Sequence, residues 1–190
     1  MGTALDAFME RASIRETVRR AIKEVSKRPL KEILAYAIKG EIDSTNLYRH
    51  LYRNLPEGYP RETFRRFISM EKTHERKVRS IFSSLFPAEE PPDVPFKSWA
   101  EVLAEGDFRL RSVGDYLKAL EIAMDAEQLS EGVYTMLAEM MEDPMQRHIM
   151  EGLARDEREH YEFLKKEYDF YSKIEARKAL DELVREIKGR

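Results

Sequence analysis

Residues 71–74 read EKTH and residues 157–160 read EREH, so one Glu-x-x-His pattern occurs twice in the chain, 86 positions apart. On an α-helix, residues i and i+3 lie on the same face, so each pattern directs a carboxylate and an imidazole toward one point. The apolar residues around both patterns follow helical spacing. The two patterns are therefore candidate metal-binding elements on two helices.

The repeat includes residues upstream of the histidines. Glu41 and Glu127 each lie 30 positions before the glutamate of a Glu-x-x-His pattern, and Tyr48 and Tyr134 are also 86 positions apart. Four glutamates and two histidines that converge inside a four-helix bundle form a site for two metal ions. We therefore predict a duplicated helical hairpin with a pseudo-twofold axis through a metal pair. The predicted ligands are Glu41, Glu71, His74, Glu127, Glu157 and His160.

A single Glu-x-x-His pattern carries little information in a chain this rich in glutamate, because it also arises by chance on helix surfaces. Two of the four histidines carry the pattern, however, at the same offset as the upstream glutamates. His50 and His148 instead have Leu47 and Met145 three residues before them. We expect these two histidines at the surface or in packing, and not at a metal.

Glutamate and histidine ligands suit iron, manganese or zinc, whereas calcium takes more oxygen ligands and structural zinc fewer carboxylates. Six side chains on two metals leave coordination positions open. Four carboxylates would neutralise two divalent ions, but without metal they would repel one another in a low-dielectric core. These ligands suit two iron ions, two manganese ions or a mixed pair alike.

Apolar residues at spacings of three and four predict six helices, and prolines mark several of their starts. Ser112 followed by Asp115 is related to a capping box, and Asp143 before Pro144 is a helix cap followed by a first-turn proline. The four core helices are predicted over about 29–54, 60–86, 113–141 and 144–170, with an N-terminal helix over about 4–27 and a C-terminal helix over about 171–188.

A proline-rich connection of roughly 25 residues follows the second core helix, with a short predicted helix near 98–104. The short turns within each hairpin make its helices antiparallel, and a long crossover between hairpins is what a ferritin-type bundle requires. Apolar and polar residues do not alternate with a period of two anywhere in the sequence, so we predict no strand. We predict an all-α, ferritin-like four-helix bundle with extra N- and C-terminal helices, forming one domain over residues 1–190 with its core at about 29–170.

The composition limits the function classes. The formal net charge of −3 gives no general attraction to nucleic acid or to an anionic membrane. No apolar run reaches the roughly 20 residues of a membrane helix, and no signal core is present. The absence of cysteine excludes disulfides, thiolate metal sites and iron–sulfur clusters. We expect a cytoplasmic protein without nucleic-acid or membrane partners, and the low Asn and Gln content favours a thermophilic origin.

Tyr48 and Tyr134 lie two turns beyond Glu41 and Glu127, on the same helix faces. We expect both tyrosines to fill the core and to hydrogen-bond a buried carboxylate or backbone group. Electron transfer to or from the metals is the alternative role. Glu131 lies one turn after Glu127, and it could be a seventh ligand, a hydrogen-bonding partner of a ligand, or a solvent-exposed residue.

The chain resembles the ferritin-like superfamily, and within it the rubrerythrin and erythrin group, in the segments AIKGEIDSTNLY (37–48), EKTH (71–74), AMDAEQLSEGVY (123–134) and EREH (157–160). The resemblance covers about residues 29–170. It implies that a reduced iron pair reacts with peroxide or dioxygen. The roles that it implies are terminal ligation by Glu41 and Glu127, bridging by Glu71 and Glu157, and binding of one iron each by His74 and His160.

The chain departs from this group at two points. Rubrerythrins carry an extra iron-binding glutamate three residues after the third-helix ligand, where this chain has Ser130, with Glu131 one position away. They also carry a rubredoxin-like iron site made of cysteines, and this chain has no cysteine. Electrons would therefore come from a separate donor protein or from ferrous iron itself. Nothing in the sequence specifies a ferritin cage, and a homodimer is one assembly that the terminal helices could form.

The resulting expectation is a non-haem diiron oxidoreductase of the peroxide reductase or ferroxidase type. Two alternatives stay open. One is a ferritin-like iron-binding or storage protein. The other is a diiron oxygenase with an organic substrate, in which Met124, Met136 and Met140 line an apolar pocket, although methionines at helical spacing more often belong to a core.

Overall fold

The computed structural model describes residues 16, 20, 23–55, 61–95, 97–98 and 112–188, and these residues form a bundle of four long helices without a strand. This confirms the predicted all-α, ferritin-like bundle. Most of the predicted N-terminal helix over about 4–27, and the short helix near 98–104, lie outside the described residues. The helices are α1 (Leu30–Asn54), α2 (Arg61–Leu85), α3 (Val113–Met140) and α4 (Pro144–Lys188).

Both predicted caps on the second hairpin are confirmed. The Ser112 hydroxyl accepts a hydrogen bond from the backbone N–H of Asp115 at 3.1 Å, immediately before α3. The Asp143 carboxylate accepts one from the backbone N–H of Gln146 at 2.9 Å, immediately before α4. Each side chain satisfies a backbone donor that has no partner within its own helix, which determines where the helix begins.

The four helices pack as two hairpins. α1 lies along α2 and α3 lies along α4, and the hairpins meet where α1 contacts α3 and α2 contacts α4. The connections within the hairpins, 55–60 and 141–143, are short and make the paired helices antiparallel. The long connection after α2 is the crossover between the hairpins. This arrangement directs one face of every helix to the centre of the bundle.

The 86-residue repeat is visible in the core. Ala37 and Ala123 are both fully buried, as are Leu51 and Leu137. Equivalent positions on α1 and α3 therefore face the same interior. This matching burial is what a duplicated hairpin with a pseudo-twofold axis produces, because the axis places each residue and its repeat in similar surroundings.

The fourth helix differs from the prediction at its C-terminal end. Residues 171–188 are helical, but they continue α4 without a break. No Gly or Pro lies between Leu153 and Lys188, so nothing in the local sequence ends the helix near residue 170. The last part of α4 keeps its apolar side chains exposed, among them Leu180, Leu183 and Ile187. Within the described residues, no helix is both long enough and apolar enough to cross a bilayer.

Candidate metal centre

All four helices contribute side chains to a polar cluster at the centre of the bundle. α1 and α3 each provide one glutamate, and α2 and α4 each provide the glutamate and histidine of a Glu-x-x-His pattern. Each of these residues is at most 2% exposed. The structure thus brings together all six residues predicted as ligands, namely Glu41, Glu71, His74, Glu127, Glu157 and His160.

The cluster consists of two overlapping groups of potential ligand atoms. One group contains Glu41 and His74, and the other contains Glu127 and His160. Glu71 and Glu157 belong to both groups. Within each group the potential ligand atoms lie within 4.8 Å of one another, which is close enough for one metal ion to contact them all. Two carboxylates shared between two such groups is the geometry of a bridged metal pair.

Both histidines direct Nδ1 toward the carboxylates. His74 Nδ1 lies 2.8 Å from Glu157 Oε1. His160 Nδ1 lies 3.2 Å from Glu127 Oε2 and 3.3 Å from Glu71 Oε1. The two imidazole rings are nearly parallel, with an interplanar angle of 15° and centroids 5.5 Å apart. The i, i+3 spacing on α2 and α4 therefore presents one imidazole nitrogen to each group.

The two tyrosines cross between the hairpins. Tyr48 on α1 donates a hydrogen bond from its hydroxyl to Glu127 on α3, and Tyr134 on α3 donates one to Glu41 on α1. Burial raises the pKa of Tyr134 well above its ordinary value, and the charge of Glu41 adds to that shift. The phenol therefore keeps its proton and remains a donor. Each tyrosine fixes the orientation of the glutamate on the opposite hairpin.

Burial raises the pKa of Glu41 well above its ordinary value, and the charges of Glu71 and Glu157 add to the shift. Burial likewise raises the pKa of Glu127, followed by the charge of Glu157. Both pKa values are raised because the protein interior solvates a charged carboxylate poorly and because neighbouring carboxylates repel it. Without metal, these two terminal glutamates therefore retain protons to higher pH than an exposed glutamate.

The pKa values of Glu71 and Glu157 shift in the opposite direction, below the ordinary value of a glutamate. Burial acts to raise the pKa of Glu157, but its close contacts with Glu127, His160 and His74 lower it on balance. Burial and the charge of Glu157 act to raise the pKa of Glu71, but its close contacts with His160 and His74 lower it. The two central glutamates are therefore the charged members of the metal-free cluster.

Burial acts to lower the pKa of His74, but its contacts with Asp156, Glu157 and Glu71 raise it to about 12. Burial also acts to lower the pKa of His160, but the charge of Glu127 and contacts with Glu127, Glu157 and Glu71 raise it above its ordinary value. When no metal is bound, protonated histidines would offset the charges of Glu71 and Glu157. Bound metal ions would take over the positive charge now supplied by protons.

Several buried atoms of the cluster have no hydrogen-bond partner among the described residues, although some lie within ion-pair distance of each other. A buried polar atom without a partner costs about 1–3 kcal/mol, and more if it is charged. Cationic metal ions would accept the lone pairs of all these atoms, so the residues present fit a metal pair. The atoms that face the cluster are Glu41 Oε2, Glu71 Oε1, His74 Nδ1 and both carboxylate oxygens of Glu157.

The structure separates the remaining candidates from the cluster. Glu131, considered as a seventh ligand, as a hydrogen-bonding partner of a ligand or as a solvent-exposed residue, forms an ion pair with Arg158 near the surface and belongs to neither group of potential ligand atoms. The guanidinium reaches across from α4 and holds the Glu131 side chain away from the interior. His50 and His148 are exposed. These two histidines take no part in the site.

Two residues next to the cluster were not predicted. Asp156 Oδ2 lies 3.3 Å from His74 Nε2, and Lys77 Nζ lies 3.3 Å from the same oxygen. The contact with His74 is the largest cause that lowers the pKa of Asp156. Asp156 directly precedes Glu157 in the chain, but only the packing of α2 against α4 places it beside the histidine of the other hairpin.

Comparison with known proteins agrees with this geometry. The rubrerythrin family model matches residues 32–168, a range that contains all six clustered residues. Among solved structures, the chain is similar to "Hypothetical Protein Pfu-1136390-001 From Pyrococcus furiosus", with a TM-score of 0.73 and 27% identity over 80% of this chain and 96% of that one. The search of the curated proteins gave no match. The fold, the carboxylate–histidine cluster and the extent of the family match together show that this chain belongs to the rubrerythrin family.

Proposed function

We propose that the protein is a non-haem diiron oxidoreductase whose reduced metal pair reacts with hydrogen peroxide or dioxygen, as a peroxide reductase or ferroxidase. The observation that carries this proposal is the pair of overlapping ligand groups that share Glu71 and Glu157. A purely structural core would not bury four glutamates, because their mutual repulsion and desolvation are costly. The family and the buried cluster support a metal centre, and iron is the metal that we propose.

Each residue of the cluster has a distinct part in this proposal. Glu71 and Glu157 would be shared between the two metal ions, while Glu41 with His74 and Glu127 with His160 would complete one ligand group each. The hydroxyls of the two tyrosines hold the terminal glutamates in place. Four carboxylates neutralise two divalent ions, which removes the electrostatic cost of the buried site.

Two ferrous ions at such a site supply two electrons, enough with two protons to reduce hydrogen peroxide to two molecules of water. The protein contributes burial, since the ligands are at most 2% exposed. Its low-dielectric interior keeps bulk water from the ligands and strengthens their interactions with charge. The 190 residues contain no cysteine for a rubredoxin-like site, so we propose that electrons come from a separate donor protein or from ferrous iron itself.

A ferritin-like iron-binding or storage role is the second candidate. The absence of cysteine also favours it, because ferrous iron would then be both the substrate and the source of electrons. Ser130, which is 2% exposed, occupies the position of the extra glutamate expected from rubrerythrins, so peroxide need not be the preferred oxidant. Among the described residues, a groove of about 620 Å³ beside α3 and α4 is lined by none of the six clustered residues, so this groove gives no support to an oxygenase.

The deciding experiment begins with anaerobic reconstitution by ferrous iron and elemental analysis of metal per chain. The ferrous protein is then mixed rapidly with peroxide and, separately, with dioxygen. Two irons per chain and faster oxidation by peroxide support the peroxide reductase. Faster oxidation by dioxygen supports a ferroxidase, and accumulation of many irons per chain supports storage. A wild-type protein that binds no metal after reconstitution would refute the proposed centre.

A further inference from the structure

The two histidines of the cluster have different surroundings at the nitrogen that points away from the carboxylates. His74 Nε2 lies 3.3 Å from the carboxylate of Asp156. His160 Nε2 is buried and has no hydrogen-bond partner among the described residues. Among the described residues, therefore, only the imidazole of His74 has an anionic group that can accept its outer N–H.

This difference originates in the sequence repeat. The position equivalent to Asp156, 86 residues earlier, is Met70, and the position equivalent to Lys77, 86 residues later, is Phe163. Asp156 and Lys77 form an ion pair beside His74. At the other end of the cluster the equivalent pair of residues is apolar. The pseudo-twofold symmetry thus holds for the six clustered residues but is broken in the residues around them.

The ring of His160 has aromatic neighbours instead. Phe67 stacks on it, with centroids 4.8 Å apart and an interplanar angle of 27°. Phe163 then packs edge-on against Phe67 at 5.8 Å. An aromatic face orients an imidazole by packing, but it cannot accept a hydrogen bond from the ring N–H in the way that a carboxylate does.

We propose that Asp156 is a positioning residue for His74 and makes the two metal subsites unequal. The subsite of His74 and Glu41 then binds a divalent metal more tightly than the subsite of His160 and Glu127. A carboxylate that accepts the outer N–H of a metal-binding imidazole fixes its tautomer and orientation and makes the metal-binding nitrogen a stronger donor. The inference rests on the two-metal centre proposed above.

The expected size of the effect follows from the exposure of Asp156. Loss of such a carboxylate typically lowers metal affinity about 10- to 100-fold. The side chain of Asp156 is 38% exposed, so water screens its interaction with His74. We therefore expect a difference near the lower end of that range, about tenfold.

The test measures each subsite separately, because the second metal ion shares ligands with the first and could mask a difference between them. His160→Ala leaves the imidazole of His74 alone, and His74→Ala leaves that of His160 alone. The affinity of each variant for cobalt(II) is measured by competition with a chelator. We expect His160→Ala to bind the ion more tightly than His74→Ala does. Adding Asp156→Asn should weaken binding about tenfold in His160→Ala and leave His74→Ala unchanged.

A gain-of-function variant completes the test. Met70 is 39% exposed, so Met70→Asp places a carboxylate near His160 without burying it fully. In the His74→Ala protein this change should tighten cobalt binding. Equal weakening of both single-histidine proteins by Asp156→Asn would show a merely structural role and overturn the inference, as would equal affinities of the two proteins. Wild-type protein that binds no cobalt would instead refute the two-metal centre itself, and this inference with it.

Discussion

Tyr134 on α3 donates a hydrogen bond to Glu41 on α1, so a residue of the second hairpin orients a terminal glutamate of the first. Tyr48 makes the reciprocal contact with Glu127. These two bonds cross the interface between the hairpins at the level of the cluster. They therefore couple the association of the hairpins to the shape of the proposed metal centre.

Tyr134→Phe should destabilise the metal-free protein by about 1–3 kcal/mol, because it leaves a buried oxygen of Glu41 without its donor. Tyr48→Phe should have a similar effect through Glu127. Urea unfolding of the metal-free proteins measures both. Tyr161→Phe, at a half-buried position on α4, is the matched control. If all three substitutions cost the same, the crossed hydrogen bonds make no specific contribution.

Glu71→Gln and Glu157→Gln should each prevent binding of two metal ions, because each removes the charge of a proposed bridge while keeping the size of the side chain. Elemental analysis of the reconstituted variants gives the number of metals per chain. Glu75→Gln on α2 and Glu131→Gln on α3 alter carboxylates that pair with surface arginines, and both should retain two metals. Two metals per chain in both bridge variants would show that our ligand assignment is wrong.

Removal of metal should lower the melting temperature. Metal ions that bind only the folded protein stabilise it by an amount that grows with their concentration, about 2.7 kcal/mol for one site at a hundredfold excess over Kd. Calorimetry of the loaded and chelated proteins measures the change. The Glu157→Gln variant should show a much smaller dependence on metal. An unchanged melting temperature in wild-type protein verified to be metal-free would contradict a buried metal pair.

Metal affinity should rise with pH, because bound protons compete with the metal. The direction follows from the pKa values: those of Glu41 and Glu127 are raised by burial, and that of His74 is raised to about 12, so all three groups must release protons as metal binds. Titration calorimetry with manganese(II) in buffers of different ionisation enthalpy counts the released protons. A pH-independent affinity with no proton release would exclude this linkage.

The exposed end of α4 should support a homodimer. Leu180, Leu183 and Ile187 are 59%, 51% and 66% exposed along one stripe. Basic residues predominate over 173–178 and acidic residues over 181–186, so two antiparallel copies of this segment would pair opposite charges. Light scattering after size-exclusion chromatography should give twice the chain mass, and Leu183→Lys should give one chain mass. Leu164→Ala would not test this interface, because Leu164 is fully buried and its truncation would disturb the core.

The ligand candidates could be predicted from the sequence because helix geometry is local. Glu71 and His74 share a face through the i, i+3 spacing alone, and the 86-residue offset associates them with Glu157 and His160 without any knowledge of packing. The helix starts at Ser112 and Asp143 could also be predicted, because a capping side chain bonds a backbone N–H within three residues of itself.

The direction of individual side chains could not be predicted in the same way. Glu131 lies one turn from Glu127, yet it faces Arg158 because that guanidinium reaches over from α4. The continuation of α4 past residue 170 was also missed, because an apolar stripe that changes its position on a helix does not show whether the helix is interrupted.

The order of residues along the chain thus specified four amphipathic helices and the two patterns that carry carboxylate and imidazole, since both depend on interactions within a few residues. The contacts of Asp156 with His74 and of Tyr134 with Glu41 join residues 82 and 93 positions apart. Those contacts depend on the rotation and axial position of one helix against another. Packing of the whole core sets these two quantities, so only the folded bundle reveals that its symmetric cluster lies in asymmetric surroundings.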